Sequence, residues 1–233
     1  MRKTVDATLL LTHVPATKPP EYAIEDGVNL VPIHKIAEIK RPWKKYVVIG
    51  AGKTGIDAIV HLLDHNVDPN KLTWIVPNDS WFFNRDPIAG DNIKTFTKRL
   101  PTIMGALLAA DDVNDVYKKF EEVGYFMRLD KNIWPTKMRA ATVSSKEMHQ
   151  LQTIVNVVRL GRIERITNNS IVFKQGESIP TDADTLHIDC SASGTNFPPV
   201  KEKLFEGKNI SLQMVQVPQP CTTGAMIAAL EIK

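Results

Sequence analysis

The chain has 233 residues, 43% apolar and 24% charged, which is enough apolar content for one or two buried cores and too much for a disordered chain. Its 29 basic and 26 acidic residues leave a net charge of +3, too mild to point to nucleic acid, so RPWKKY (41–46) and FTKRL (96–100) read as solvated faces. Cys190 and Cys221 form neither a C-x-x-C pair nor a disulfide framework, so a reducing, cytoplasmic compartment is the expectation. The longest apolar run, around 103–110, falls short of the ~20 residues of a membrane span.

At the N-terminus, MRKTVDATLLLTHVPA places two basic residues before apolar ones, as a secretory signal does. Asp6 interrupts the stretch and it is too short, so it reads as mature protein. Residues 1–40 are punctuated by prolines and contain strand-like runs at 4–12 and 28–32. Residues 41–80 read as a βαβ unit. A buried-looking strand, 46–49, is followed by Gly50, Gly52 and Gly55 in a G-x-G-x-x-G spacing. Ile56, Ile59, Val60, Leu63 and Val67 then form one apolar stripe on a helix, residues 66–70 with Pro69 supply a stop, and LTWIV (72–76) is a second strand.

GKT (52–54) imitates a mononucleotide loop, but that loop needs a glycine five positions before its own Gly-Lys, and Val47 stands there inside the strand. The dinucleotide fingerprint survives. Gly50 serves the tight turn, Gly52 a close approach of backbone to pyrophosphate, and Gly55 the packing of helix on strand. The amides of Gly50, Ala51, Gly52, Lys53, Thr54 and Gly55, at the positive end of the helix dipole, are the expected diphosphate cradle. Beyond the second strand, Asp79 would favour NAD if its carboxylate faces the groove, and Arg85 would favour NADP if the loop folds back.

Residues 92–150 read as helical, with helices at 112–123 and 144–152, the second capped near Ser144. From 153 the texture changes to short strands, IVNVVRL (154–160), RIERI (162–166) and SIVFKQ (170–175), a β-meander feeding the core strand of TLHIDCSAS (185–193). His61 and His65 lie four apart but lack the glutamate of H-E-x-x-H, so a solvated pair is expected and no metal. Ser191 and Ser193 do not sit in a G-x-S-x-G elbow. Cys190 reads as a small buried hydrophobe. Trp81, Phe82 and Phe83 read as core or contact residues, with a cleft wall as the other role, and no general acid or base stands out.

Ala7-Thr8, Pro15-Ala16-Thr17 with Pro19-Pro20, a short strand at Gly27-Val28, and then strand, GAGKTG and helix together resemble the middle of flavoproteins with two dinucleotide-binding domains. That family includes flavin-dependent monooxygenases and pyridine-nucleotide flavin reductases. The strand 185–189 followed by Cys190-Ser191-Ala192-Ser193-Gly194 resembles the return crossing into the FAD domain. The resemblance implies a Rossmann-like α/β FAD/NAD(P)-binding fold with a parallel sheet, a β-meander and a helical insertion over about 92–150. It divides the chain into an NAD(P)-binding domain, 41–184, and the remnant of an FAD-type domain, 1–40 with 185–233, where Ala192 and Gly194 would touch cofactor. It favours NADP over NAD and allows FAD.

The FAD fingerprint of that family does not precede Met1, Leu9 stands where an Ala-Thr-Gly would carry its glycine, and AMIAALEIK (225–233) reads as a last helix barely begun. A fragment, a truncated gene product or a degenerate member is therefore expected. The expected function is the NAD(P)H-binding part of a monooxygenase-like flavin oxidoreductase, placing nicotinamide for hydride transfer to FAD and acting on a small molecule; the alternative is a non-catalytic dinucleotide-binding module. A homo-oligomer is compatible with either, and neither nucleic acid nor membrane is an expected partner.

Overall fold

The computed structural model describes residues 2–7, 14–87, 93–192, 203–213 and 220–232. In chain order the first elements are β1 (Thr4–Asp6), β2 (Ala23–Ile24), β3 (Leu30–Pro32), β4 (Lys45–Ile49), α1 (Lys53–Asp64), β5 (Leu72–Ile75) and β6 (Ser80–Asn84). Then come α2 (Ile93–Leu108), α3 (Val113–Glu122), β7 (Phe126–Met127), β8 (Lys137–Val143), α4 (Ser145–Leu151) and β9 (Asn156–Val158). The chain continues through β10 (Ile163–Ile166), β11 (Ser170–Phe173), β12 (Ser178–Pro180), β13 (Thr185–Asp189), β14 (Phe205–Glu206), β15 (Asn209–Ser211) and α5 (Pro220–Ile232).

Contacts divide these elements into two units, Pro15–Ser191 and a smaller one made of Met1–Val14 with Ala192–Lys233. The larger unit is α/β, built on a five-stranded, all-parallel sheet in the order β3-β13-β4-β5-β9. Parallel strands are covered on both faces and so read as continuous apolar runs. In β4 the alternation shows how: Tyr46 and Val48 pack with Ile56, Ile59 and Leu62 of α1. Val47 and Ile49 face the other way and join Ile163, Ile166, Ile171 and Phe173. That second face is covered by the meander, whose sheet runs β12-β11-β10-β2.

Several boundaries differ from the sequence reading. β3 and β13 share the parallel sheet with β4, and contacts divide the chain at Val14/Pro15 and Ser191/Ala192. The stretch 92–150 is not helical throughout: β8 pairs in parallel with β6, and β7 pairs with β6 from the other side. β9 belongs to the parallel sheet and not to the meander, which instead gains β12. The stripe on α1 is also shifted, because Ile56, Ala58, Ile59 and Leu62 are the buried residues while Val60, Leu63 and Val67 only flank them.

Local signals placed the helix ends well. α1 stops where Asn66 takes φ 60°, α3 starts where the Asp112 carboxylate accepts the Asp115 amide at 2.9 Å, and α4 starts at a Ser144–Glu147 capping box. In the smaller unit β1 pairs in parallel with β15, which pairs antiparallel with β14. There α5 runs 13 residues from Pro220, so the helix expected to begin near 225 starts earlier, and Lys3 forms an ion pair with Glu231. Thr8 and Leu9 lie outside the described residues.

β13 is buried along its whole length although it reads Thr-Leu-His-Ile-Asp. The His187 ring explains one of these polar residues: Nδ1 lies 3.0 Å from the Asn29 carbonyl and Nε2 2.9 Å from the Thr181 hydroxyl. A carbonyl only accepts, so Nδ1 carries the proton, and neutral Nε2 accepts from Thr181. Burial pushes the His187 pKa below its ordinary 6.5 against the opposing pull of the Asn29 carbonyl and Asp182. The unfolded chain therefore takes up this proton first as pH falls, so stability is intact above 6.5 and declines below it. We expect the melting temperature to drop between pH 7 and pH 5, and the drop to shrink in His187→Gln. An equal drop in both proteins would assign the acid sensitivity to other groups.

Candidate functional site

β4 ends at Ile49 and α1 begins at Lys53, so the three glycines form the strand-to-helix corner at the carboxyl end of a central parallel strand. Ligands of open α/β sheets bind at that edge. The corner is tied to both neighbouring strands. The Gly50 amide donates to the Ile75 carbonyl of β5 at 3.0 Å, the Trp74 indole donates to the Gly50 carbonyl at 2.9 Å, and the Cys190 amide donates to the Ile49 carbonyl at 2.9 Å.

Each glycine has a different reason. Gly50 has φ +118°, where side chains are strained, and a Cβ there would lie 2.8 Å from the Cys190 carbonyl oxygen. At Gly55 a Cβ would run into the Gly50 carbonyl oxygen, far inside contact distance. Gly52 is different. Its φ of −84° and ψ of −179° suit any residue, and nothing lies within 4 Å of the position its Cβ would occupy. The fold needs glycine at 50 and 55 and leaves open space at 52.

The corner fits a diphosphate by the same test. The first intrahelical bond runs from the Ile56 amide to the Gly52 carbonyl at 3.1 Å, so the amides of Lys53, Thr54 and Gly55 precede it and have no partner within the helix. No side chain caps α1 and its first turn holds no acidic residue. A helix of twelve residues brings about half a positive charge to this end. Thr54 is exposed, Lys53 half-buried, and Ala51 buried beneath them.

The residues expected to choose between cofactors both have internal partners. Asp79 is gripped from two sides by Arg159, Nε to Oδ2 at 2.9 Å and Nη2 to Oδ1 at 3.2 Å, so its carboxylate is turned to that guanidinium. Arg85 lies 2.6 Å from Glu147, whose other oxygen is 3.8 Å from the Lys53 ammonium; Lys53 also pairs with Asp57. Glu147 and Arg159 were not singled out in the sequence. The cap read near Ser144 proves to be a capping box with Glu147, and nothing in the sequence marked that glutamate as a counter-ion. Burial would raise the Glu147 carboxyl, yet the Ser144 amide, Arg85, the Ser144 hydroxyl and Lys53 hold it down at about 2.

Alongside the corner, Asp189 accepts from the Ser191 amide at 2.9 Å and the Ser191 hydroxyl at 2.6 Å, which makes Ser191 a turn residue. The Tyr22 hydroxyl is buried beside the Asp189 carboxylate, and burial, then that carboxylate, push its pKa up. Cys190 is 4% exposed, and burial, then Asp189, raise its thiol pKa, the condition of a packed rather than a reactive cysteine. Ala192 opens the second segment of the smaller unit, and Ser193 and Gly194 lie outside the described residues.

The His61 and His65 rings lie with centres 4.1 Å apart and tilted by 36°, and among the described residues no group of three metal-binding side chains occurs. Trp81 and Phe82 are buried; Trp81 also lines a cleft of about 270 Å3 with Tyr117 and Trp134, within the segment after β5. None of the glycine-loop residues lines that cleft. Among the described residues no helix is long and apolar enough to cross a membrane.

No family model matches the sequence. Over 234 residues the chain is 37% identical to an uncharacterized protein of Mycobacterium tuberculosis and to one of Mycobacterium bovis, an alignment that covers 99% of this chain and 43% of each relative. The chain thus spans less than half the length of the curated relatives it matches. Among solved structures it is similar to L-lysine 6-monooxygenase from Pseudomonas syringae, with 10% identity, a TM-score of 0.39, and coverage of 88% of this chain and 58% of that one. It is also similar to an ornithine N-hydroxylase from Kutzneria sp. 744, whose structure is titled with reduced FAD, NADP+ and L-ornithine. Here the identity is 14%, the TM-score 0.37, and the coverage 79% and 44%.

Proposed function

We propose that the glycine corner binds the pyrophosphate of a nicotinamide dinucleotide and that the chain is the NAD(P)H-holding part of a monooxygenase-like flavin oxidoreductase. In this reading residues 41–184 serve the nicotinamide dinucleotide, and residues 1–40 with 185–233 belong to an FAD-type domain. The observation that carries the proposal is Gly52, where the backbone has no need of glycine and the space a side chain would fill is open. A side chain is missing there for the sake of something that approaches from outside.

The chain's own part is to bind and to orient. The amides of Lys53, Thr54 and Gly55 donate to phosphate oxygens, the α1 dipole favours the negative charge, and the buried corner fixes their direction through the Trp74 and Ile75 bonds. A reduced nicotinamide supplies hydride to a flavin, chemistry that belongs to the cofactors. NADP is the favoured form, on the family resemblance and on the presence of Lys53 and Arg85 around one carboxylate.

The test is a visible spectrum of the purified protein after incubation with FAD, followed by titration with NADPH and NADH. A flavin band that bleaches on adding NADPH supports the whole reading. Nicotinamide binding without flavin would leave a binding module and remove the oxidoreductase. A protein that takes up neither would overturn the assignment of the corner.

A further inference from the structure

The glycine corner has two cations beside it, and both are already engaged by one carboxylate. Lys53 is the first residue of α1, Arg85 follows β6, and Glu147 lies in the first turn of α4; all three side chains meet although their elements are separate in sequence. The two oxygens of Glu147 divide the work. Oε2 accepts the Ser144 amide at 2.7 Å and the Ser144 hydroxyl at 2.9 Å and pairs with Arg85 at 2.6 Å. Oε1 faces Lys53 at 3.8 Å. A helix cap needs only one of these oxygens, so the cap does not account for the second. The side chain of Glu147 is 15% exposed, whereas those of Lys53 and Arg85 are 34% and 37% exposed, so the acid is held in place and the cations keep a solvent-facing side.

We propose that Glu147 is a built-in competitor for phosphate at the glycine corner: its carboxylate holds Lys53 and Arg85, and a dinucleotide with an additional phosphomonoester binds by taking these cations over. The inference rests on the reading of the corner as a dinucleotide site and adds what sets its choice between phosphorylated and unphosphorylated forms. A phosphomonoester offers nearly two negative charges and three acceptor oxygens against the single charge of a carboxylate, so it can win both cations. The cations then discriminate by a difference, the gain on phosphate less the loss of Glu147. Asp57, also paired with Lys53, is a second but more exposed claim on the same ammonium. The acid remains bound to Ser144 when the cations leave it, so the exchange requires no unfolding of α4.

The test is calorimetric titration of NADP+ and NAD+ into the wild type, Glu147→Gln, Arg85→Ala and the double variant. Glutamine keeps an oxygen for the Ser144 amide and removes the charge. We expect Glu147→Gln to bind NADP+ about fivefold more tightly with NAD+ little changed, a modest figure because the cations are partly solvated. Arg85→Ala should weaken NADP+ by a similar factor, about fivefold, and spare NAD+. The double variant should lose the gain. A Glu147→Gln protein with the wild-type melting temperature and unchanged NADP+ affinity would overturn the competition. If that variant does not fold, Arg85→Ala decides alone, and equal loss for both nucleotides counts against the proposal. Binding of NAD+ with no response of NADP+ to any variant would sink this inference and spare the corner; no binding of either nucleotide to any protein would sink both.

Discussion

Gly52→Val is expected to weaken nicotinamide dinucleotide binding by at least two orders of magnitude while the protein stays folded. The valine Cβ would enter open space, so nothing in the chain has to move for it. The backbone at 52 is already extended, at φ −84° and ψ −179°, which a β-branched residue adopts easily. Replacing glycine by valine at a helix N-cap costs roughly 1 kcal/mol or less. On the ligand side, an isopropyl group in front of the first amides of α1 removes the close approach that charge-assisted hydrogen bonds need, and two such bonds are worth about 3–6 kcal/mol. At about 1.4 kcal/mol per tenfold, that is two to four decades of affinity. The binding effect therefore exceeds the folding effect severalfold. Calorimetry and a melting curve on the same sample check it, and wild-type affinity in Gly52→Val would remove the assignment of the site.

The corner was legible in the sequence because it is local: strand, three glycines and helix lie within twenty residues, and each signal is a backbone or burial requirement of its neighbours. Helix starts at Asp112 and Ser144 were legible for the same reason, since a capping side chain reaches only two or three residues ahead. β8 was not. Its KMRAATV shows no clean alternation, and it is a strand because β6 lies beside it, with a register shift between Trp81 and Phe83. β9 was misplaced because IVNVVRL is mostly apolar without clean alternation, and only pairing with β5 tells which of its residues are ladder and which, like Val155 at 76% exposure, are not.

The charged partners around the site were the least legible. Asp79 and Arg85 were picked out as loop residues free to meet a cofactor, yet Asp79 is answered by Arg159 eighty residues on, and Arg85 by an acid that had a sufficient local explanation as a cap. Ion pairs depend on side-chain charge and distance in space and leave no periodicity along the chain. That is why the sequence could place the glycine corner and could not say which charges surround it.

Gly50→Ala and Gly55→Ala are expected to do the reverse of Gly52→Val and to act on the fold before any ligand is added. Alanine at 50 faces two penalties. A φ of +118° lies where only glycine is at ease, and its Cβ would sit 2.8 Å from the Cys190 carbonyl oxygen and 3.0 Å from the carbonyl carbon. These atoms belong to the backbone that follows β13, which cannot swing aside as a long side chain can. Alanine at 55 would press on the Gly50 carbonyl, the group that accepts the Trp74 indole, so relieving the clash also breaks a buried hydrogen bond. Each substitution should cost about 3 kcal/mol or more. For a chain of this size that lowers the melting temperature by roughly 6–12 °C. The order of melting temperatures across the three variants separates the roles of the glycines: losses at 50 and 55 with none at 52 assign the outer two to the strand-to-helix packing and the middle one to an external group. A comparable loss at 52 would mean that its open side is filled in the folded protein, and the corner would then have no room to receive a phosphate.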